Sequence, residues 1–131
     1  MNSIIPPDIR RFILDRIDSI AELEALLLLR NSPDTWWEDT AAAQRLYLGT
    51  EQGRAVLVKL EAAELLISRD EGPNRRWRYR PQSGDLREMV DRLAYYYTKH
   101  LVPVSNLVHE KSKNRLQEFS RAFDLPETKD P

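Results

Sequence analysis

The segment at positions 50–81 constrains this chain more than any other. It reads TEQGRAVLVKLEAAE, LLISRD, the reversal EGPN and then RRWRYRP, with no linker between the helical and the extended patterns. Val56, Leu57, Leu60 and Ala63 recur at helical spacing, a stripe that a helix must bury. From Leu65 the period falls to two. Leu65 and Ile67 then oppose Leu66 and Ser68, while Trp77 and Tyr79 oppose Arg76, Arg78 and Arg80. Gly72, Pro73 and Asn74 supply the backbone angles of a tight reversal. Trp77 and Tyr79 therefore anchor the returning strand to a core, and its arginines face outward.

The residues ahead of this unit read as helices with one short strand. A first helix starts at Pro7 or Asp8 and carries Ile9, Phe12, Ile13 and Ile17 on one side. A second, capped by Ser19 and running to about Arg30, holds Ile20, Leu23, Leu26 and Leu27, with Leu28 and Leu29 beside them. It is the most apolar segment and belongs in the centre. Asn31, Ser32, Pro33 and Asp34 end it. Thr35, Trp36 and Trp37 suit a very short strand. Asp39 or Thr40 then caps a third helix through Ala42, Ala43, Leu46 and Tyr47, and Leu48 and Gly49 turn the chain into the helix that Thr50 is expected to cap.

Beyond Ser83 a different periodicity governs. Leu86, Leu93, His100 and Leu107 recur every seven residues, with Val90, Tyr97 and Val104 interleaved, which makes a seam of a and d positions. Two covers are open to it: the same helix of a second subunit, or the first helix of the same chain. The seam is longer than a small domain needs, which favours a homodimer with Leu86, Val90, Leu93, Tyr97, Val104 and Leu107 at its interface. Pro103 predicts a kink or break near Lys99. Tyr95, Tyr96 and Tyr97 point about 100° apart and cannot all face the seam, so one lines a pocket or packs against Phe12 and Ile13. A last helix over about Lys113–Phe123, with Leu116, Phe119, Ala122 and Phe123, is expected to fold back, and the residues after Leu125 to fray.

Composition excludes several classes of function. At 131 residues the chain suits one domain with a helical extension, and the lack of cysteine removes disulfides and thiolate metal sites. His100 and His109 are too far apart to share a helical face toward a metal, and the four glycines include no phosphate-cradling pattern. Ser105 and His109 share a face, but nothing marks an oxyanion site or an orienting acid. No enzyme, metal or cofactor is expected. The start of the chain lacks a basic segment followed by a long apolar one, and the longest apolar run, Ala25–Leu29, is too short for a bilayer, so a cytoplasmic placement without membrane contact is expected. With a formal net charge of -1, polyanion affinity must come from a local patch.

Helix, short strand, helix, turn, helix, strand, turn, strand is the winged helix-turn-helix order. The residues LEAAELLISRD and WRYRP resemble the winged-helix domains of bacterial transcription regulators of the broad MarR and PadR-like superfamily, over roughly half the chain. The tail, from LREMVDRLAYYY to RLQEFSRAFDL, is similar to small bacterial winged-helix proteins. Where such regulators usually have Gly between helix and strand, this chain has Glu64, which asks for a different helix exit. The resemblance implies an α+β, mostly α fold: an N-terminal helix at 1–18, a winged-helix domain at 19–81, a C-terminal helical dimerisation extension at 82–125 and a tail at 126–131. It implies double-stranded DNA as partner, with the helix from Thr50 as recognition helix and Glu51, Gln52, Arg54, Ala55, Val58, Lys59 and Ala62 outward. Gln52 can pair with adenine, while Arg54 and Lys59 lie near bases. Arg75, Arg76, Arg78 and Arg80 are the candidate phosphate ligands of the wing. Both sets have a plainer reading, a solvated helix face and an edge strand protected by charge. A winged fold that docks another protein through its acidic helix face and tyrosine-rich tail is the alternative function.

Overall fold

The computed structural model describes residues 4–122 and, within its last helix, the side chains at all positions except 119, 121 and 122. Its elements follow the order α1 (Pro7–Arg16), α2 (Ile20–Arg30), β1 (Trp37–Glu38), α3 (Asp39–Leu46), α4 (Thr50–Ala62), β2 (Leu66–Glu71), β3 (Asn74–Tyr79), α5 (Gly84–Lys99) and α6 (Leu101–Ala122). This is a mostly helical α+β fold with one small antiparallel sheet in the order β1-β3-β2.

The caps explain where the helices start. Ser19 Oγ accepts from Glu22 N–H at 3.1 Å, and Glu22 Oε1 accepts from Asp18 N–H at 3.0 Å, a capping arrangement at the head of α2. Ser83 does the same for α5, accepting from Leu86 N–H at 3.1 Å. At α4 the expectation fails: Gly49 is the N-cap, Thr50 is already helical, and no side chain caps the end. The predicted core stripes are buried: Ile9, Ile13 and Ile17, then Leu23, Leu26 and Leu29 of the central α2, then Leu57 and Leu60 of α4. Each such side chain contributes about 1.5–3 kcal/mol by leaving water.

Two close fits make the helix-turn-helix. A Cβ built on Gly53 of α4 would lie 2.6 Å from Ala43 Cβ of α3, so the helices cross at a distance that only glycine permits. Both helices then end in left-handed closures. Leu48 N–H donates to Ala43 C=O at 2.9 Å around Tyr47 (φ 60°), and Leu65 N–H donates to Leu60 C=O at 3.1 Å around Glu64 (φ 70°). The exit at Glu64 is therefore the ordinary glycine-type exit, kept by a glutamate, not the different one expected. Arg16 holds it: its Nη1 donates to Ala63 C=O and faces Glu64 Oε1 at 3.4 Å.

The hairpin keeps the expected alternation except at Leu65, which lies ahead of the strand. Leu66 pairs with Tyr79 and Ser68 with Trp77 on the core face, while Ile67 lies half-exposed on the outer face. Leu65 is fully buried because it belongs to the helix exit. Gly72 takes φ 63° at the reversal, and β1 joins the other side of the sheet through Trp37↔Trp77 and Glu38↔Arg76.

The tail places the expected interface residues inside the single chain. Val90 and Leu93 of α5, Tyr97 at its end, and Val104 and Leu107 of α6 are buried within the single chain, and Leu86 is half-buried. The cover is supplied by α1, with α6 also touching α2, so the seam is consumed internally and is not free for a second subunit. The helix does break where expected. His100 closes α5, and Pro103 sits in the first turn of α6, where its missing N–H is harmless. From there α6 is one continuous helix, not a break followed by a separate helix near Lys113. Leu116 is 66% exposed, and the fold-back contacts expected of Phe119, Ala122 and Phe123, like the fraying after Leu125, fall outside the described positions.

One polar clip fastens this tail. Lys111 of α6 is buried, and its Nζ donates to the C=O groups of Ile13 (3.1 Å) and Ile17 (2.7 Å) at the end of α1 and meets Asp18 Oδ1 at 2.8 Å. Asp18 also receives Lys59 of α4 at 2.9 Å and Arg115 of α6 at 3.2 Å. Partial burial alone would raise the Asp18 pKa, but the hydrogen bonds and charges of Lys111 and Lys59 outweigh it and hold it at about 2.

Candidate nucleic-acid interface

The residues expected to point outward on α4 are all solvent-exposed: Glu51, Gln52, Arg54, Ala55, Val58, Lys59 and Ala62. Gly53, Val56, Leu57 and Leu60 face inward, so the crossing at Ala43 and the stripe together aim one face of α4 at solvent. Ala55, Val58 and Ala62 give that face a low profile, which suits close approach to another surface.

The charged candidates divide. Arg54 stays 57% exposed, with Asp39 of α3 at 3.7 Å. Lys59 instead turns back to Asp18 (2.9 Å) and Glu22 (3.6 Å), and the Asp18 carboxylate raises its pKa. Lys59 thus serves as a strut between α4 and the α1–α2 junction, which separates it from Gln52 and Arg54.

On the wing, the alternation aims Trp77 and Tyr79 into the core as expected, with exposures of 0% and 4%. The arginines lie outside it but do not form a free cationic cluster. Arg75 pairs with Asp70, its cross-strand neighbour, at 3.0 Å. Arg76 lies between Glu38 of β1 (3.1 Å) and Glu71 of β2 (3.0 Å), and Glu71 also binds Arg69. The guanidinium of Arg78 lies over the Trp36 ring at 5.1 Å, with Arg69 over the same residue at 4.2 Å. Arg80 is exposed and carries no ion pair among the described residues. Of the four candidate phosphate ligands, folding puts a carboxylate beside Arg75 and Arg76 and an indole beside Arg78.

One residue that sequence reasoning passed over as surface acid organises the site. Glu61 of α4 accepts from Trp77 Nε1–H at 3.2 Å and from Ser68 Oγ–H at 2.7 Å, thereby fixing the wing to α4. Its only sequence signal was a carboxylate on the sheet-facing edge of the helix.

Fold and interface together define a winged helix-turn-helix protein. No protein-family model and no curated protein matches the chain. Among solved structures it is similar to the homodimeric winged helix-turn-helix DNA-binding domain of a possible ArsR-family transcriptional regulator from Mycobacterium bovis (TM-score 0.54, 18% identity, 77% of this chain and 94% of that one). It is also similar to a possible transcriptional regulator from Methanosarcina mazei (TM-score 0.50, 16% identity, 77% and 89%). At these identities the likeness carries the fold, and it reaches the winged helix-turn-helix class without singling out MarR or PadR proteins. Among the described residues, no helix is long and apolar enough to cross a membrane.

Proposed function

We propose that this chain binds duplex DNA through α4 and the wing and regulates transcription; one structural neighbour is described as a DNA-binding domain and both as possible transcriptional regulators. The observation that carries this reading is the outward face of α4, held at a glycine-only crossing and presenting Gln52 and Arg54 beside small side chains. In the major groove Gln52 pairs with adenine, Arg54 with guanine, and Ala55 and Val58 meet thymine methyl groups. The wing arginines Arg75, Arg76, Arg78 and Arg80 follow the phosphate backbone. Exposed ion pairs are worth at most about 1 kcal/mol, so Arg75 exchanges the Asp70 carboxylate for a phosphate at little cost.

Fluorescence anisotropy against genomic fragments tests the proposal. Binding should weaken steeply with salt and lose sequence preference in Gln52→Ala with Arg54→Ala; the absence of salt-sensitive binding rejects it. A homodimer, as in the neighbour from Mycobacterium bovis, is part of this reading. With the seam consumed, it would use the exposed Tyr95, Leu101 and Val102 near the α5–α6 corner. Sedimentation as a monomer at high micromolar concentration refutes that part.

The second reading, a protein-docking module, is favoured by the pairing of the wing arginines with Asp70, Glu38 and Glu71. A stoichiometric protein partner together with undetectable DNA binding would select it.

A further inference from the structure

Tyr47 is the residue of the helix-turn-helix that folding does not explain. It ends α3 in the left-handed region at φ 60°, where a β-carbon is disfavoured and glycine is at ease. Such a residue persists where the fold gains from its side chain or where function does. The fold gains nothing visible. Tyr47 is 95% exposed, and its ring and hydroxyl make no hydrogen bond and no ring contact among the described residues. Its twin, Glu64, shows the contrast: the same closure there is accompanied by contacts to Arg16.

Its position supplies the other half of the argument. Tyr47 opens the turn that leads to Gly49, Thr50, Glu51 and Gln52, all exposed, at the end of α4 that a recognition helix lays against base edges. The turn beside an inserted helix end runs along the sugar–phosphate backbone. There a tyrosine hydroxyl donates to a phosphate oxygen and its ring packs on deoxyribose.

We infer that Tyr47 is a DNA backbone contact that positions α4 in the groove. The inference rests on the DNA-binding reading above and adds a residue to it.

The test uses the full chain, a fluorescein-labelled random-sequence DNA duplex at low salt and thermal unfolding of each variant. A backbone contact acts on any sequence, so no operator is needed. Tyr47→Gly should melt at the wild-type temperature or above it, because the strain is relieved, yet bind about tenfold more weakly, the scale of one lost backbone contact. Tyr47→Phe should fall between Tyr47→Gly and wild type. Leu116→Ala, which removes another exposed side chain, on α6, should bind as wild type does. Wild-type affinity in Tyr47→Gly overturns the inference and leaves the DNA-binding reading standing. A lowered melting temperature in Tyr47→Gly also overturns it, since the ring would then serve the fold. Failure of wild type to bind any duplex in a salt-dependent way overturns both.

Discussion

Glu61 carries a disproportionate share of the interface geometry for a single carboxylate. Its two oxygens serve two donors, Trp77 Nε1–H and Ser68 Oγ–H, that face each other across β2 and β3. Trp77 is fully buried, so removing the acceptor leaves an N–H without water or partner. Glu61→Ala should therefore lower stability by about 1–3 kcal/mol in urea or thermal unfolding. Glu61→Gln should cost much less, because its amide oxygen still accepts from the indole and its NH₂ donates to the serine hydroxyl. Equal losses in the two variants would show that the bond matters less than the side chain's bulk. The residue scale is also where sequence reading was weakest. The exposed and buried faces of α4 followed from period alone, since helical phase is a local property. Glu61, Lys59 and Arg76 did not, because each is defined by a partner on another element, such as Glu38 beside Arg76, which no local pattern brings near.

Among the elements, α5 and α6 show what a periodic seam states and what it leaves open. Heptad spacing declared that Val90, Leu93, Tyr97, Val104 and Leu107 must be covered, and they are. It did not declare by what, and α1 together with the break at His100 makes the cover internal. Lys111, outside the seam, locks that arrangement by capping the C=O groups of Ile13 and Ile17 and meeting Asp18. Lys111→Met preserves the apolar stem but leaves the Ile17 C=O without its donor and Asp18 without one of its cations, while the Ile13 C=O keeps the N–H of Ile17, so it should destabilise the chain by about 2–3 kcal/mol in chemical unfolding. The same clip predicts an acid response. The Asp18 pKa is lowered from 3.8 to about 2 in the fold, so the charged form is favoured there. Its contribution, about 1–2 kcal/mol after solvent screening, is complete above the unfolded pKa and is lost as pH falls from near 4 through about 2. Asp18→Asn should remove that acid-dependent component. Parallel losses in wild type and variant across this window would assign the acid response elsewhere.

At the scale of the whole molecule, the fold was legible because a helix running into a hairpin, short loops and caps are local signals that agree with one another. The charge distribution was not, because composition gives only the sum. The four arginines at positions 75–80 read as a cationic rim, whereas folding sets Asp70, Glu71 and Glu38 among them. This balance makes a prediction that separates the two functional readings. Glu38→Gln with Glu71→Gln frees Arg76 and Arg69 and moves the formal net charge from -1 to +1. Were the wing to lie on phosphate, the variant should bind a random-sequence duplex about tenfold more tightly at low salt. Its plot of log affinity against log salt should also steepen, since each newly engaged phosphate releases counterions. Were the wing a docking surface for protein, those carboxylates would be recognition groups, and the variant would lose its partner while gaining at most weak, unsaturable attraction to DNA. The sign of the affinity change and the salt slope, measured on one double variant, therefore decide what the paired arginines are for.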